Sequence, residues 1–471
     1  MEGLMGSSLN WVVAHASGWK HRLGLDGAVA YTVLARASNI IGSIGTVLLI
    51  VHFMSPVEQG YYYSLLSLVN LQIFFELGFS VVILQMAAHE CVHLKLHHDG
   101  FIEGNQTAHA RLASVFQKTV RWYLGAALLM FLVLPVVGVL FFSRNASHGI
   151  EVAWQAPWAV TVFFCIVLFF LNPFSSFIEG CGEVRQVASM RFQQALGSIV
   201  AAWGALIAHR GLYAPAMVMC AYIIVALLFL WKRRRLLIAL FRYPAGNVAV
   251  SWRGEVWSFQ WKIGISSLCY YFTIQIFAPA LFILRGPTEA GQMGMSINIA
   301  AYLWTVVLAW MSTKATPFGQ MIERGDFDRL ERSFFRTLWQ AVAVLGALAL
   351  ACMSGVLILH RVAPNFAARM VPPLLFVPLL LTAFSSLIVQ SEAVYLRACK
   401  REPFLSQSIS VASLTLLGIF VLVPRWGVVG STLTYFICTG VVGLIFATAV
   451  FRKWRKDMHS DRCDTVVAME A

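Results

Sequence analysis

About twelve apolar runs, each near the roughly 20 residues that a helix needs to cross a bilayer, limit what this chain can fold into. A soluble domain has about 25% charged residues, whereas this chain of 471 residues is 12% charged and 59% hydrophobic. The sequence therefore predicts an all-α polytopic membrane protein. The predicted spans lie near 30–53, 62–86, 119–142, 153–177, 189–209, 213–231, 259–284, 291–316, 334–359, 371–396, 404–424 and 427–451.

The basic residues are unevenly distributed between the two ends of these spans. With the N-terminus inside, the inward loops hold about 26 Lys and Arg residues and the outward loops about six. Clusters at 232–235 and 452–456 contribute to this bias. The positive-inside rule then places both termini in the cytoplasm. The nine cysteines are irregularly spaced and predict no disulfide framework and no metal site.

The two halves of the chain resemble each other. The turns after the first and seventh spans share a Pro, a Glu and a Gly at one constant offset, and these are Pro56, Glu58 and Gly60 in the first half and Pro287, Glu289 and Gly291 in the second. A second group of matches follows at a slightly smaller offset, pairing Arg111, Phe116 and Thr119 with Arg329, Phe334 and Thr337. Six spans per copy is an even number, so the copies have the same orientation and are related by an axis along the membrane normal.

The repeat predicts two six-helix bundles with a central site between them. The predicted units are a cytoplasmic N-terminal segment (1–28), the first bundle (29–235), a basic cytoplasmic linker (236–258), the second bundle (259–452) and a cytoplasmic tail (453–471).

The shared turn admits two interpretations. Pro fixes φ at the start of a helix, Glu in a first turn complements the helix dipole, and Gly permits close approach of another backbone. The turn is then either a structural hairpin between two spans or an outward-facing hinge between them, since hinge positions absorb large changes in φ and ψ.

The segments around the first turn resemble Wzx-type polysaccharide flippases of the multidrug/oligosaccharidyl-lipid/polysaccharide (MOP) exporter superfamily. They read SPVEQGYYYS at 55–64, FFELGF at 74–79 and AHE at 88–90. The resemblance implies two bundles that open alternately to each side and move a lipid-linked (polyprenyl-pyrophosphate) oligosaccharide across the cell inner membrane for surface polysaccharide biosynthesis. It implies membrane lipids, a polysaccharide polymerase and glycosyltransferases as partners, with no cofactor, no nucleic acid and no enzymatic activity. The alternative within the superfamily is a cation-coupled multidrug antiporter.

Four ionisable residues inside the predicted spans are candidates for the site: Arg36, Glu76, Lys262 and Lys314. Charges within a bilayer are costly, so they usually face a cavity or pair with each other. The functional interpretation is a cationic cavity for a pyrophosphate group, with Arg36 as the main ligand through its forked geometry and Glu76 as the ion-coupling group. The alternatives are an Arg36–Glu76 ion pair and lysines that extend to the membrane surface. Amides at Asn39, Asn70, Gln85, Gln275, Asn298 and Gln390 would bind sugars or form interhelical contacts.

The sequence also contains His-Glu-x-x-His at His89, Glu90 and His93, the spacing of a zinc protease. A helix over 87–98 would place the first two histidines on one face, but no third ligand motif follows. We expect a chance match at the end of the second span, with no metal and no catalytic residue, and removal of His93 should leave export intact. No Gly-x-x-x-x-Gly-Lys-[Ser/Thr] loop for ATP is present either.

Overall fold

A computed structural model of the chain describes residues 27–92, 94–96, 102–145, 152–243, 257–323, 325–398 and 404–470. The predicted N-terminal segment, most of the predicted linker and His93 lie outside these ranges, as does the side chain of Lys262. Numbered in chain order, the spans are Gly27–Phe53 (1), Pro56–Glu76 with Phe79–Cys91 (2), Gln106–Asn145 (3), Gln155–Gly180 (4), Val184–Ile207 (5), Ala214–Lys232 (6), Trp257–Tyr270 with Tyr271–Gln275 and Phe277–Arg285 (7), Pro287–Ser312 (8), Phe327–Val362 (9), Pro373–Ala398 (10), 405–426 (11) and 428–470 (12).

Twelve crossings follow from the lengths and breaks of these helices. Within the described residues, eight helices are long and apolar enough to cross a membrane, and two bent pairs pass the same test together. One of the eight, Leu405–Lys456, divides at Gly427 because its φ of 55° is not helical. Val184–Ile207 adds the twelfth, since its 24 residues exceed the span of a bilayer. The predicted number and positions of the spans are confirmed.

Helix contacts show that the two halves share one architecture. In the first lobe (spans 1–6), span 1 packs on span 5, span 5 on span 6, and span 4 on spans 2, 3 and 6. In the second lobe (spans 7–12), the same contacts recur six spans later: span 7 on span 11, span 11 on span 12, and span 10 on spans 8, 9 and 12. Across the pseudo-twofold axis, span 2 contacts spans 7 and 8, and span 8 contacts spans 1 and 2.

Two spans are broken where the lobes meet. Span 2 bends by 46° at Leu77 and Gly78, which both have positive φ. Span 7 bends by 45° beside a π-helix at Tyr271–Gln275. The breaks face each other, because the Phe74 ring lies 5.5 Å from the Tyr271 ring. A Cβ at Gly78 would overlap the Ile263 side chain, so this close approach requires glycine. The sequence predicted neither break.

Short elements connect the spans. An antiparallel hairpin, Leu94–Leu96 with Ile102–Gly104, joins spans 2 and 3 and is the one sheet within the described residues. Helices Arg234–Arg242 and Ala315–Glu323 follow spans 6 and 8, and Pro364–Ala367 lies between spans 9 and 10. We call the end that carries Pro56 and Pro287 the turn end, and the opposite end, with clusters 232–235 and 452–456, the basic end.

Candidate functional site

The first conserved-spacing turn begins a helix in a fully satisfied way. Ser55 is the N-cap of Pro56–Val69, and its hydroxyl accepts from the Glu58 backbone N–H at 3.1 Å. The Glu58 carboxylate accepts from the Ser55 backbone N–H at 2.7 Å, which completes a capping box. Pro56 occupies the first helical position, where a missing N–H costs nothing. The predicted roles of Pro56 and Glu58 in starting the helix are therefore confirmed.

The second turn uses its glutamate differently. Pro287 again starts a helix, but its N-cap is Gly286, which has no side chain to form a capping box. The Glu289 carboxylate instead accepts from the Val428 backbone N–H at 3.0 Å, at the start of span 12. A Cβ at Gly427 would overlap that carboxylate. Glu289 thus caps a different helix of its own lobe and holds the break between spans 11 and 12.

The two turns pack directly against each other across the pseudo-twofold axis. Gly60 and Gly291, which correspond in the repeat, lie in backbone contact, since a Cβ at Gly291 would fall 2.9 Å from the Gly60 nitrogen. A Cβ at Gly60 would overlap the Pro287 carbonyl oxygen. The Tyr61 ring, next in the chain, packs edge-on against Phe282 of the second lobe with centroids 4.9 Å apart. The turn end is therefore closed.

Polar contacts reinforce this closure. The buried Gln59 amide donates to the Gly291 carbonyl and to the Arg369 carbonyl, each at 3.0 Å. The Arg369 guanidinium returns to the first lobe and donates to the Met54 carbonyl at 2.7 Å. Burial lowers the pKa of Arg369, and the nearby Glu58 carboxylate opposes that shift. Sequence analysis missed Gln59 and Arg369, because their partners are backbone carbonyls of the opposite lobe.

A cavity of about 250 Å³ lies in the first lobe, between spans 1, 2, 5 and 6 and span 8 of the second lobe. Hydroxyl and amide groups supply its polar surface, and they belong to Asn39, Ser43, Thr46, Tyr62, Tyr63, Ser198, Asn298 and Tyr302. No Asp, Glu, Lys or Arg is among the described residues that line it. Two amides that the sequence suggested, Asn39 and Asn298, are present here.

A second cavity of about 410 Å³ lies in the second lobe beside the broken segment of span 7. Its polar groups are Ser266, Ser267, Tyr270, Thr273, Trp304, Ser386, Gln390, Gln407, Ser408 and Thr439. Arg397, near the basic end of span 10, is the one charged residue among the described lining residues. Gln390 was predicted as a possible sugar contact, whereas Arg397 was counted among the loop arginines and missed.

Arg36 lies beside the first-lobe cavity. Residues three apart on a helix share a face, so Arg36 is one turn from Asn39 toward the basic end, on the face that carries Ser43 and Thr46 into the cavity. Its side chain is exposed. Lys314 is half-buried and follows the basic end of span 8. Neither residue lines the two cavities directly, and the structure does not bring them together with Arg397 in one described pocket.

Glu76 is located at the break of span 2. Its carboxylate accepts from the Ser80 hydroxyl at 2.6 Å, and Ser80 lies 3.1 Å from the Tyr123 hydroxyl of span 3. Ser80 is in the first turn of Phe79–Cys91, where a negative charge is favourable. Among the ion pairs of the described residues, none joins Glu76 to Arg36. The alternative of a mutual ion pair is therefore wrong for this conformation.

Comparison with known proteins rests on structure alone. No protein-family profile and no curated protein matches the chain. An inward-facing multidrug resistance MATE family transporter of the MOP superfamily aligns with 92% of this chain and 96% of its own, with a TM-score of 0.55 and 12% identity. The lipid II flippase MurJ, in an inward closed conformation, aligns with 90% of this chain and 89% of its own (TM-score 0.58, 11% identity). The MATE transporter VcmN of Vibrio cholerae gives 91%, 96%, 0.55 and 12%.

The chain has the fold of MOP transporters. At such low identity this likeness concerns the fold and leaves the substrate open. It accounts for the two lobes, the twelve spans and the arrangement about a pseudo-twofold axis, which the internal repeat had predicted.

Within this MOP-type fold, the His-Glu-x-x-His stretch ends a span. The helix stops at Cys91, and a strand begins at Leu94, so the continuous helix over 87–98 does not form. Glu90 is buried and accepts from Arg111 Nε at 2.8 Å, while His89 is exposed. Within the described residues no cluster of potential metal ligands occurs. Glu90 therefore joins the ends of spans 2 and 3, and Arg111 is one of the residues that recur in the repeat.

This arrangement predicts different effects for the two neighbours. Replacing Glu90→Gln should lower the stability of the purified protein by about 1–2 kcal/mol, because it removes a charge-assisted hydrogen bond to Arg111. Replacing His89→Ala should leave stability unchanged, since that side chain is exposed. Thermal unfolding of the two variants in one detergent makes the comparison. Equal loss of function in both variants, at unchanged stability, would instead favour a catalytic pair.

Proposed function

We propose that the chain is a membrane flippase that moves a lipid-linked oligosaccharide with an anionic pyrophosphate group between leaflets by alternating access. The fold supports a transporter with two states. The composition of the two cavities supports this substrate class, because sugars bind through hydroxyl, amide and aromatic groups, and phosphates bind to arginine. In this proposal the protein lies in the inner membrane with both termini in the cytoplasm, so the basic end faces the donor side.

The observation that carries the proposal is the absence of carboxylates from the described lining of both cavities. A transporter of cationic drugs needs negative charge to offset the desolvation of its substrate. Here the lining offers neutral polar groups and one arginine, Arg397. The cavities therefore favour a neutral, hydroxyl-rich group joined to an anion over a cation.

The predicted site residues have defined parts in this proposal. Arg36 and Arg397 bind the pyrophosphate from the first and second lobes, and Lys262 and Lys314 increase the positive potential at the basic end. Glu76 couples an ion gradient to movement at the break of span 2, where a change in its charge would alter the contact with Ser80. The paired turns form the outward gate, which is closed in this conformation.

A deletion in the native cell tests the function. We expect lipid-linked oligosaccharide to accumulate in the cytoplasmic leaflet and surface polysaccharide to decrease, with resistance to cationic dyes unchanged. Leaflet sidedness is measured with a membrane-impermeant glycosidase on oriented vesicles, and dye resistance is measured in parallel. Restoring the wild-type gene should reverse the defect. Loss of dye resistance with normal sidedness would instead support the multidrug antiporter.

A further inference from the structure

A third cavity, of about 560 Å³, lies at the basic end of the first lobe, between spans 1, 5 and 6. It differs from the two transport cavities in its charge. Arg185 enters from the start of span 5, and Lys232 and Arg233 enter from the end of span 6. Hydrogen-bonding groups of Tyr31 and Ser189 complete its polar side. The described lining contains no carboxylate.

The three cations of this cavity are not equivalent. Arg233 pairs with Glu183 through Nε and Nη2, and its guanidinium lies 3.8 Å from the centre of the Phe229 ring. Its charge is therefore offset. Among the described residues, no carboxylate lies within ion-pair distance of Arg185 or Lys232. Two positive charges from different helices thus converge on the cavity without a counter-charge from the protein.

The opposite wall of the cavity is apolar and continues onto the outer surface of the lobe. Leu228 lines the cavity and is 62% exposed. Val225 and Phe229 lie on the same wall. In a membrane-spanning helix, exposed leucines face acyl chains. The cavity therefore has a cationic end and a lipid-facing side.

Neighbouring residues place the cavity at the depth of lipid headgroups. Trp231, adjacent to Lys232, is 67% exposed, as expected for an aromatic residue at the membrane–water interface. The next helix, Arg234–Arg242, buries Leu236 and Leu240 and leaves Phe241 exposed beside its arginines. The Gln117 amide of span 3 donates to the backbone carbonyls at the end of this helix and fixes it against the lobe. Exposed apolar residues beside arginines are typical of a helix on an anionic membrane surface.

We propose that this cavity binds the phosphate of an anionic membrane phospholipid, with Arg185 and Lys232 as its ligands and an acyl chain along Leu228. The site is separate from the transport cavities and does not depend on the proposed function. A soluble phosphate would use the two cations but would gain nothing from the apolar wall. Basic pockets between membrane helices at this depth suit lipid headgroups for the same reason.

Native mass spectrometry of the purified full-length chain tests the site. The probes are phosphatidylglycerol, phosphatidylethanolamine and inorganic pyrophosphate, each added to delipidated protein. We expect phosphatidylglycerol to bind at least tenfold more tightly than phosphatidylethanolamine. The double variant Arg185→Gln with Lys232→Gln should lose this preference, because both charge-assisted contacts are removed.

The matched control is the double variant Arg210→Gln with Arg361→Gln, which changes net charge equally at exposed positions near the turn end. It should bind phosphatidylglycerol like the wild type. Retention of the preference in the cavity variant, or equal loss in both variants, would overturn the proposal. Equal binding of pyrophosphate and phosphatidylglycerol would also overturn it, in favour of a soluble anion. If the double variant unfolds, the single variant Lys232→Gln, at an exposed residue, provides the same comparison.

Discussion

Replacing Gly60→Ala should reduce transport at least fivefold, by opening the turn end. A Cβ at this position overlaps the Pro287 carbonyl oxygen, which belongs to a helix start and cannot rotate away. Overpacking of this kind costs about 1–3 kcal/mol, which shifts a two-state equilibrium by roughly 5–150-fold. The closed turn end would lose that free energy, whereas states with separated lobes would not.

The displacement can be measured between exposed residues of the two lobes. Spin labels at Arg210 in the first lobe and Arg361 in the second report the width of the turn end. We expect Gly60→Ala to move the distance distribution to longer values and Gly346→Ala to leave it unchanged, because nothing lies within 4 Å of a Cβ at Gly346. Unchanged distances and unchanged transport in Gly60→Ala would contradict the gate and leave the turn as a structural hairpin.

The repeat allowed much of this fold to be predicted. Twelve apolar runs set the spans, and the shared Pro-x-Glu-x-Gly spacing identified turns that correspond across the axis. The contact between Gly60 and Gly291 follows from that symmetry, because a pseudo-twofold axis through a close contact brings a residue against its own counterpart. The sequence left open whether the turns were hairpins or gates, since this depends on which lobe surfaces meet.

Other features had no periodic signal. The break in span 2 requires positive φ at Leu77, which its sequence does not indicate because leucine rarely adopts that conformation. The π-helix in span 7 has no glycine or proline within it. Arg397 follows an apolar run and was grouped with loop arginines, although its location beside the second-lobe cavity depends on how spans 7, 10 and 11 pack.

The asymmetry between the lobes has a physical origin in two residues. Glu58 caps its own helix because Ser55 supplies the partner hydroxyl, whereas Gly286 cannot, so Glu289 is free to cap span 12. A single Ser-to-Gly difference in the repeat thus changes which helix the glutamate stabilises. The second lobe gains a fixed break between spans 11 and 12.

Replacing Arg397→Gln, or Arg36→Gln, should reduce export of the lipid-linked oligosaccharide by about tenfold to a hundredfold without lowering the amount of protein in the membrane. Each arginine would donate charge-assisted hydrogen bonds to pyrophosphate, worth about 1.5–3 kcal/mol each, and about 1.4 kcal/mol corresponds to a tenfold change in affinity. Glutamine keeps some hydrogen bonding and removes the charge. Leaflet sidedness of the lipid-linked oligosaccharide measures the effect.

The control is Arg361→Gln, which removes an exposed positive charge near the turn end, away from both cavities. Its export should equal that of the wild type, so a defect confined to Arg36 and Arg397 identifies charge at the cavities as the cause. Arg397→Glu sharpens the choice between substrate classes. An anion site should lose export completely on charge reversal, whereas a cation transporter should gain affinity for a cationic dye, because a carboxylate then faces the second-lobe cavity. Normal export in both glutamine variants would remove the role of arginine in binding the substrate.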